Sequence, residues 1–314
     1  MPLALKRFLS PRYFTVLFIP GLFFLLLSDP SKTLAGAKSG LLLWFNTVLP
    51  TLLPIIIMSG LIVRTGTYRP LCRLVYPVLK HLLPISRTGC YPLITGMISG
   101  LPIGAKISAD LFTQGLISKK EAQYITALTS VPSPAFLTGY IAVSCLASPN
   151  LAPFIMLIVL MAAFLSTEVC CHFFYKYFET ETFTALHTTS VSSGQNPSFF
   201  SKLDFSVSEG FEIILKAGGY IIIFSALSQH IPNMFISGIL EITSGINNIS
   251  SSLLNTAQKI VLTLTLSGFG GASCLLQTAG FIVNSGLSLP FHVICKICSA
   301  LFAFILGVIL VYII

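Results

Sequence analysis

Two lysines in apolar surroundings are the first residues whose setting suggests chemistry. Lys106 stands in SGLPIGAK, four residues before Asp110, and Lys296 stands in FHVICKICSALF with no acid within one helical turn. An ammonium group at membrane depth is costly unless it is paired or meets a ligand, so each is a functional candidate by default. The chemistry they suggest is capture of an anion. Beside Lys106, the backbone N–H groups of Gly104 and Ala105 fall at an expected helix start, where unpaired donors and the helix dipole favour negative charge. A second glycine-rich stretch, SGFGGAS, brings Ser267, Gly271 and Ser273, with Gln277 just after it. Ser99 and Gly100, together with Ser130 and Ser133 in TSVPSPAF, complete the candidate substrate-binding groups.

Each candidate has a plainer reading beside it. Lys106 and Asp110 have the i,i+4 spacing of a structural ion pair, as do Glu212 and Lys216. Lys296 has the reach to snorkel to an interface, and small polar residues also pack helices in membranes. Glu168 and His172, one turn apart, read as an interfacial pair rather than a proton relay. The eight cysteines lie mostly in apolar runs, and Cys295 and Cys298 have no second pair to complete a zinc site. No Ser-His-Asp, metal or phosphate-loop constellation occurs, so no enzyme, no metal and no cofactor are expected.

The elements that position these groups are set by composition. The chain has 314 residues, 54% hydrophobic and only 9% charged, against about 25% charged in soluble proteins. Long runs such as PFIMLIVLMAAFL exclude the alternating pattern of an outer-membrane barrel. The net charge of +8 sits in loops bordering apolar segments, which fits positive-inside topology and argues against a nucleic-acid partner. The partner implied directly is the lipid bilayer; a coupling ion and a homo-oligomer remain open.

In chain order, residues 1–39 form an N-terminal transmembrane helix with a cytoplasmic start. Residues 40–63 cross back with Pro50 and Pro54 inside, and 64–87 read as an interfacial amphipathic helix. Residues 91–117, broken by Gly96, Gly100, Pro102 and Gly104 and flanked on both sides by basic residues, read as a re-entrant helical hairpin. Residues 121–146 are a helix broken at Pro132 and Pro134, because neither proline has an N–H to donate. A span over 151–175 and a Ser/Thr-rich cytoplasmic linker over 179–205 follow. The second half offers a span over 208–228, an amphipathic positive-poor stretch over 231–258 on the outside, a second hairpin over 259–288 and a last span over 291–314. Ser99-Gly100 returns as Ser267-Gly268, so 40–178 and 206–314 read as two copies of one unit in opposite orientation. The fold class expected is an all-α polytopic membrane protein, an inverted-topology repeat with two re-entrant hairpins and broken helices.

The stretches LLLWFNTVLPTLLP, SGLPIGAK followed by GLISKKEA, the Ser133-Pro134 break, and SGFGGAS with Gln277 behind it resemble the sporulation integral membrane proteins of the YlbJ type, also called SpoVV, built on the Gate or nucleoside-recognition fold. The resemblance covers nearly the whole chain; Ser133 stands where family members tend to have Asn. It implies a fold related to concentrative nucleoside transporters and movement of dipicolinate from the mother cell toward the developing spore, across the outer forespore membrane.

The leading expectation is therefore a transporter of a small organic anion, dipicolinate by resemblance, working by alternating access. A transporter of nucleosides or another neutral polar solute is one alternative. A non-transporting membrane protein of the spore envelope is the other.

Overall fold

The computed structural model describes residues 11–173 and 198–313, which are helical with no strand among them. The first ten residues, and the part of the expected linker over 179–197, lie outside the described residues.

Helix α1 (Pro11–Ser28) ends where Asp29 caps the next helix. The Asp29 carboxylate accepts the Lys32 N–H at 3.1 Å, and Pro30 takes the first helical position, where its missing donor costs nothing. The segment expected as one helix over 1–39 is thus two, and the next element starts well before Gly40. That element is bent: α2 (Pro30–Leu43) passes through a π-helical turn (Trp44–Val48) into α3 (Leu49–Thr65), with 52° between its two arms. Pro50 stands in the break between the arms and has no N–H to donate back to the π turn, and prolines and π turns are both sites of helix kinks. Helix α4 (Tyr68–Leu82) is amphipathic as expected: Leu74, Val78 and Leu82 are exposed, while Tyr68 and Cys72 are buried.

Helices α5 (Cys90–Ser99) and α6 (Ile103–Thr113) form the hairpin expected over 91–117. Gly100 turns the chain at φ +71°, and the arms cross where Gly96 meets Gly104. A Cβ on Gly96 would stand 2.8 Å from the Gly104 Cα and 2.6 Å from the Thr129 Cβ, so only glycine admits this crossing. Thr129 belongs to α7 (Lys119–Thr129), which stops at Ser130; a π-helix over Phe136–Cys145 resumes the path after Pro132 and Pro134. Helix α8 (Ala152–Phe173) closes this half.

The second half departs from expectation twice. Helix α9 (Phe199–Ser228), capped by Ser198, takes in residues 199–205 of the expected linker. More consequentially, the fold-back lies earlier than 259–288. Helices α10 (Met234–Leu240) and α11 (Ile242–Ser250) are joined by the single residue Glu241 and cross where a Cβ on Gly238 would stand 3.1 Å from the Gly245 Cα. The polar stretch over 231–258 therefore folds back as a hairpin, buried around its tip and crossing from Ser237 to Ile249, rather than running as one surface helix. Helices α12 (Thr256–Phe269) and α13 (Gly271–Ser285) do not fold back: with Gly270 at φ +89° between them they run as one 30-residue span. Two successive left-handed glycines, Gly270 and Gly271 at φ +83°, interrupt the hydrogen bonds without the Pro that follows Gly100, so the helix restarts at once.

Helix α14 (Leu289–Ile313) packs on α12 and α8, and α9 packs on α2 and α3. The order hairpin, broken helix, long apolar helix thus occurs in each half. Among the described residues four helices are long and apolar enough to cross a membrane, or five if the bent pair counts as one span.

Candidate functional site

The two hairpin tips and the two helix breaks converge. Leu101 donates its N–H to the Val131 carbonyl at 3.0 Å, which fastens the first tip to the first break. A Cβ on Gly100 would stand 2.8 Å from the Ser133 Cα, so the tip lies flat against that break. A Cβ on Gly271 would meet the Ile242 nitrogen at 3.1 Å, which seats the second tip on the second break. The two sets also touch each other: Leu101 Cδ1 lies 3.7 Å from the Cβ position of Gly270.

Between them lies a cavity of about 110 Å³ that opens at a mouth. Ser99 and Leu101 line it from the first tip, and Glu241 and Thr243 from the second. Pro132 and Ser133 come from the first break, Ser273, Cys274 and Gln277 from beyond the second, and Thr47 from the π turn of the bent helix. The cavity holds fixed donors. Ser99 Oγ is buried with no hydrogen-bond partner among the described residues. The first turn of α13, which ends in Ser273 at the cavity, presents helix N-terminal N–H groups that have no partner inside their own helix. Gln277 Nε2 donates to Ser273 Oγ at 3.2 Å, leaving its second amide hydrogen for a ligand.

The cavity also holds one acid. Glu241 is 2% exposed, accepts the Thr243 hydroxyl, and takes the Ser244 N–H at 2.7 Å as the cap of α11. Sequence reasoning passed over it, although it is the lone acid in ISGILEITSGI and marks the hairpin tip.

Of the expected site residues, Ser99, Ser133, Ser273 and Gln277 line this cavity, and Gly100, Ser130, Gly271 and Lys296 build the walls behind it. Lys296 is 3% exposed and donates to the Ser130 carbonyl at 2.5 Å, so it is held within the fold rather than snorkelling. Gly104 and Ala105 are buried near the hairpin crossing, and Ser267 donates to the Thr263 carbonyl at 2.7 Å inside its own helix. These do not line the cavity.

Lys106 lies elsewhere as well. Its Nζ meets Asp110 at 2.6 Å and Glu209 of α9 at 2.8 Å, and Glu209 is held on its other oxygen by Arg64 at 2.9 Å. Two cations and two carboxylates make this cluster neutral, and it lines a separate polar pocket with Ser59 and Gln114. Lys216 pairs with Glu212 at 2.5 Å on the surface. Glu168 accepts the Tyr124 hydroxyl at 2.5 Å.

No family model matches the chain, and no solved structure matches it. It is similar to the sporulation integral membrane protein YlbJ of Bacillus subtilis (strain 168), at 24% identity over 320 aligned positions, covering 88% of this chain and 77% of that protein. The YlbJ-type resemblance therefore extends along most of the sequence.

Proposed function

From that likeness and the cavity, we propose that the chain is a membrane transporter of sporulating bacteria that carries a small organic anion, with dipicolinate as the substrate the YlbJ-type resemblance suggests. The observation that carries the reading is the convergence of two hairpin tips and two helix breaks on one cavity. Irregular backbone at membrane depth persists where it lines a cavity or is covered by protein, and transporters place substrate where half-helix ends point inward. For a carboxylate, the donors on offer are the first-turn N–H groups of α13, the Ser99 hydroxyl and the Gln277 amide. The recurrence of hairpin, broken helix and long helix fits two repeats; set in opposite orientation, they would rock about the cavity to open it to either side. In this reading hairpin 2 is α10–α11.

A neutral polar solute, such as a nucleoside, is the second reading, and Glu241 favours it: a carboxylate on the cavity wall repels an anion and accepts from hydroxyl or amine groups. Uptake of labelled dipicolinate into proteoliposomes tests the choice. The anion reading expects uptake above protein-free vesicles that excess unlabelled dipicolinate abolishes. Uptake of labelled nucleoside with none of dipicolinate would move the second reading ahead.

A further inference from the structure

The carbonyl of Ser130 is orphaned by the sequence itself. In a continuing helix it would accept the N–H of residue 134, which is Pro134 and has none; Leu128 loses its donor to Pro132 in the same way. The Val131 carbonyl is taken by Leu101, and the Ser130 carbonyl is taken by the ammonium of Lys296. That lysine comes from α14, a helix outside both breaks. Its Cε lies 3.7 Å from the Cβ position of Gly270, so its stem passes the second break on the way to the first. No ion pair among the described residues includes it. Around it stand Cys274 and Cys295, while His292, one turn earlier on the same helix, has neither ring nitrogen hydrogen-bonded. Glu241, which lines the cavity with Cys274, is occupied by Thr243 and Ser244.

The end of a half-helix carries partial negative charge on its free carbonyls. In secondary transporters such carbonyls, exposed where helices break, commonly coordinate a coupling Na⁺. We propose that Lys296 is a tethered cation in that place: its ammonium, instead of a bound Na⁺, satisfies the Ser130 carbonyl and balances the negative end of α7. An ammonium suits the role as a compact charge with several donors. The lysine does not line the cavity, so its charge is spent on the protein rather than on the substrate. One consequence, transport that needs no Na⁺, rests on the transport reading; the occupancy of the site does not.

Thermal unfolding of the purified protein in detergent tests the occupancy with no substrate present. The parent and Lys296→Ala are compared in sodium, choline and methylammonium chloride at equal ionic strength. The parent is expected to melt at one temperature in all three salts. Lys296→Ala is expected to melt several degrees lower in choline chloride and to regain at least half of that loss in sodium or methylammonium chloride. A parent stabilised by sodium over choline would overturn the proposal. So would a Lys296→Ala variant that melts like the parent in choline, or that regains nothing from either cation. If the variant does not accumulate, the parent alone decides: indifference to the salt upholds the tethered cation, and selective stabilisation by sodium removes it. No flux enters the measurement, so a failure of the transport reading, seen as absent uptake, is distinguishable from a failure of this one.

Discussion

Leu101, at the tip of the first hairpin, donates its backbone N–H to the carbonyl of Val131 at 3.0 Å, so the fold-back and the break in the following helix share a hydrogen bond. Two irregular segments, each costly alone in an apolar medium, satisfy each other there. Any rearrangement of the first hairpin must carry this bond along or break it.

The hairpin crossings admit no side chain. A Cβ at Gly104 would stand 2.6 Å from the Thr129 Cβ, and one at Gly245 would fall against the Gly238 backbone, whereas at Gly280 it meets nothing within 4 Å. Gly104→Ala and Gly245→Ala are expected to lose about 1–3 kcal/mol or more by overpacking. Gly280→Ala is expected to be neutral or to gain up to about 1 kcal/mol from helix propensity. Thermal unfolding of the three variants checks this, and equal melting of all three would contradict the crossings.

Much of this arrangement is legible in the sequence. Gly100 with Pro102, and Pro132 with Pro134, mark the first tip and the first break because residues that lack a Cβ or an N–H leave a local signature. The second tip is harder to see. Its turn is the single residue Glu241, in extended backbone that any residue adopts, and its arms are short, the second one, ITSGINNIS, rich in Ser, Thr and Asn. That composition reads as a water-facing helix, and only the approach of Gly238 to Gly245, a tertiary contact, shows otherwise. Once that hairpin is missed, the Gly-rich run at Gly270 takes its place and the repeat offset is misassigned. The partner of Lys106 was hidden for a related reason: Asp110 is near in sequence, but Glu209 lies on α9.

The Lys106–Glu209 pair joins the first hairpin to α9. A double-mutant cycle of Lys106→Gln and Glu209→Gln, read by thermal unfolding, is expected to give a coupling of about 0.5–3 kcal/mol, as for groups in direct contact. Additive effects would show that the pair does not form in solution. Because Lys106 lies outside the cavity, Lys106→Gln is expected to lower substrate affinity by less than changes in the cavity wall do.

Glu241→Gln separates the two substrate classes by the sign of its effect. Glutamine keeps an oxygen to accept the Ser244 N–H, so the cap on α11 survives. For an anion, removing the negative charge tightens binding, by roughly tenfold if the repulsion is worth ~1.4 kcal/mol. A neutral solute that donates to Glu241 binds more weakly instead. Equilibrium binding of labelled dipicolinate and of a nucleoside to the purified variant reads both signs.

The account rests on the cavity between the tips and breaks being where substrate sits, and Cys274 is the cysteine on its wall. In a variant retaining Cys274 as its only cysteine, the rate of thiol modification by a methanethiosulfonate reagent is measured with and without saturating dipicolinate. Substrate in the cavity predicts at least a severalfold slowing that a non-transported aromatic monocarboxylate does not reproduce. An unchanged rate, in protein that still takes up dipicolinate, would place the substrate elsewhere and contradict the site.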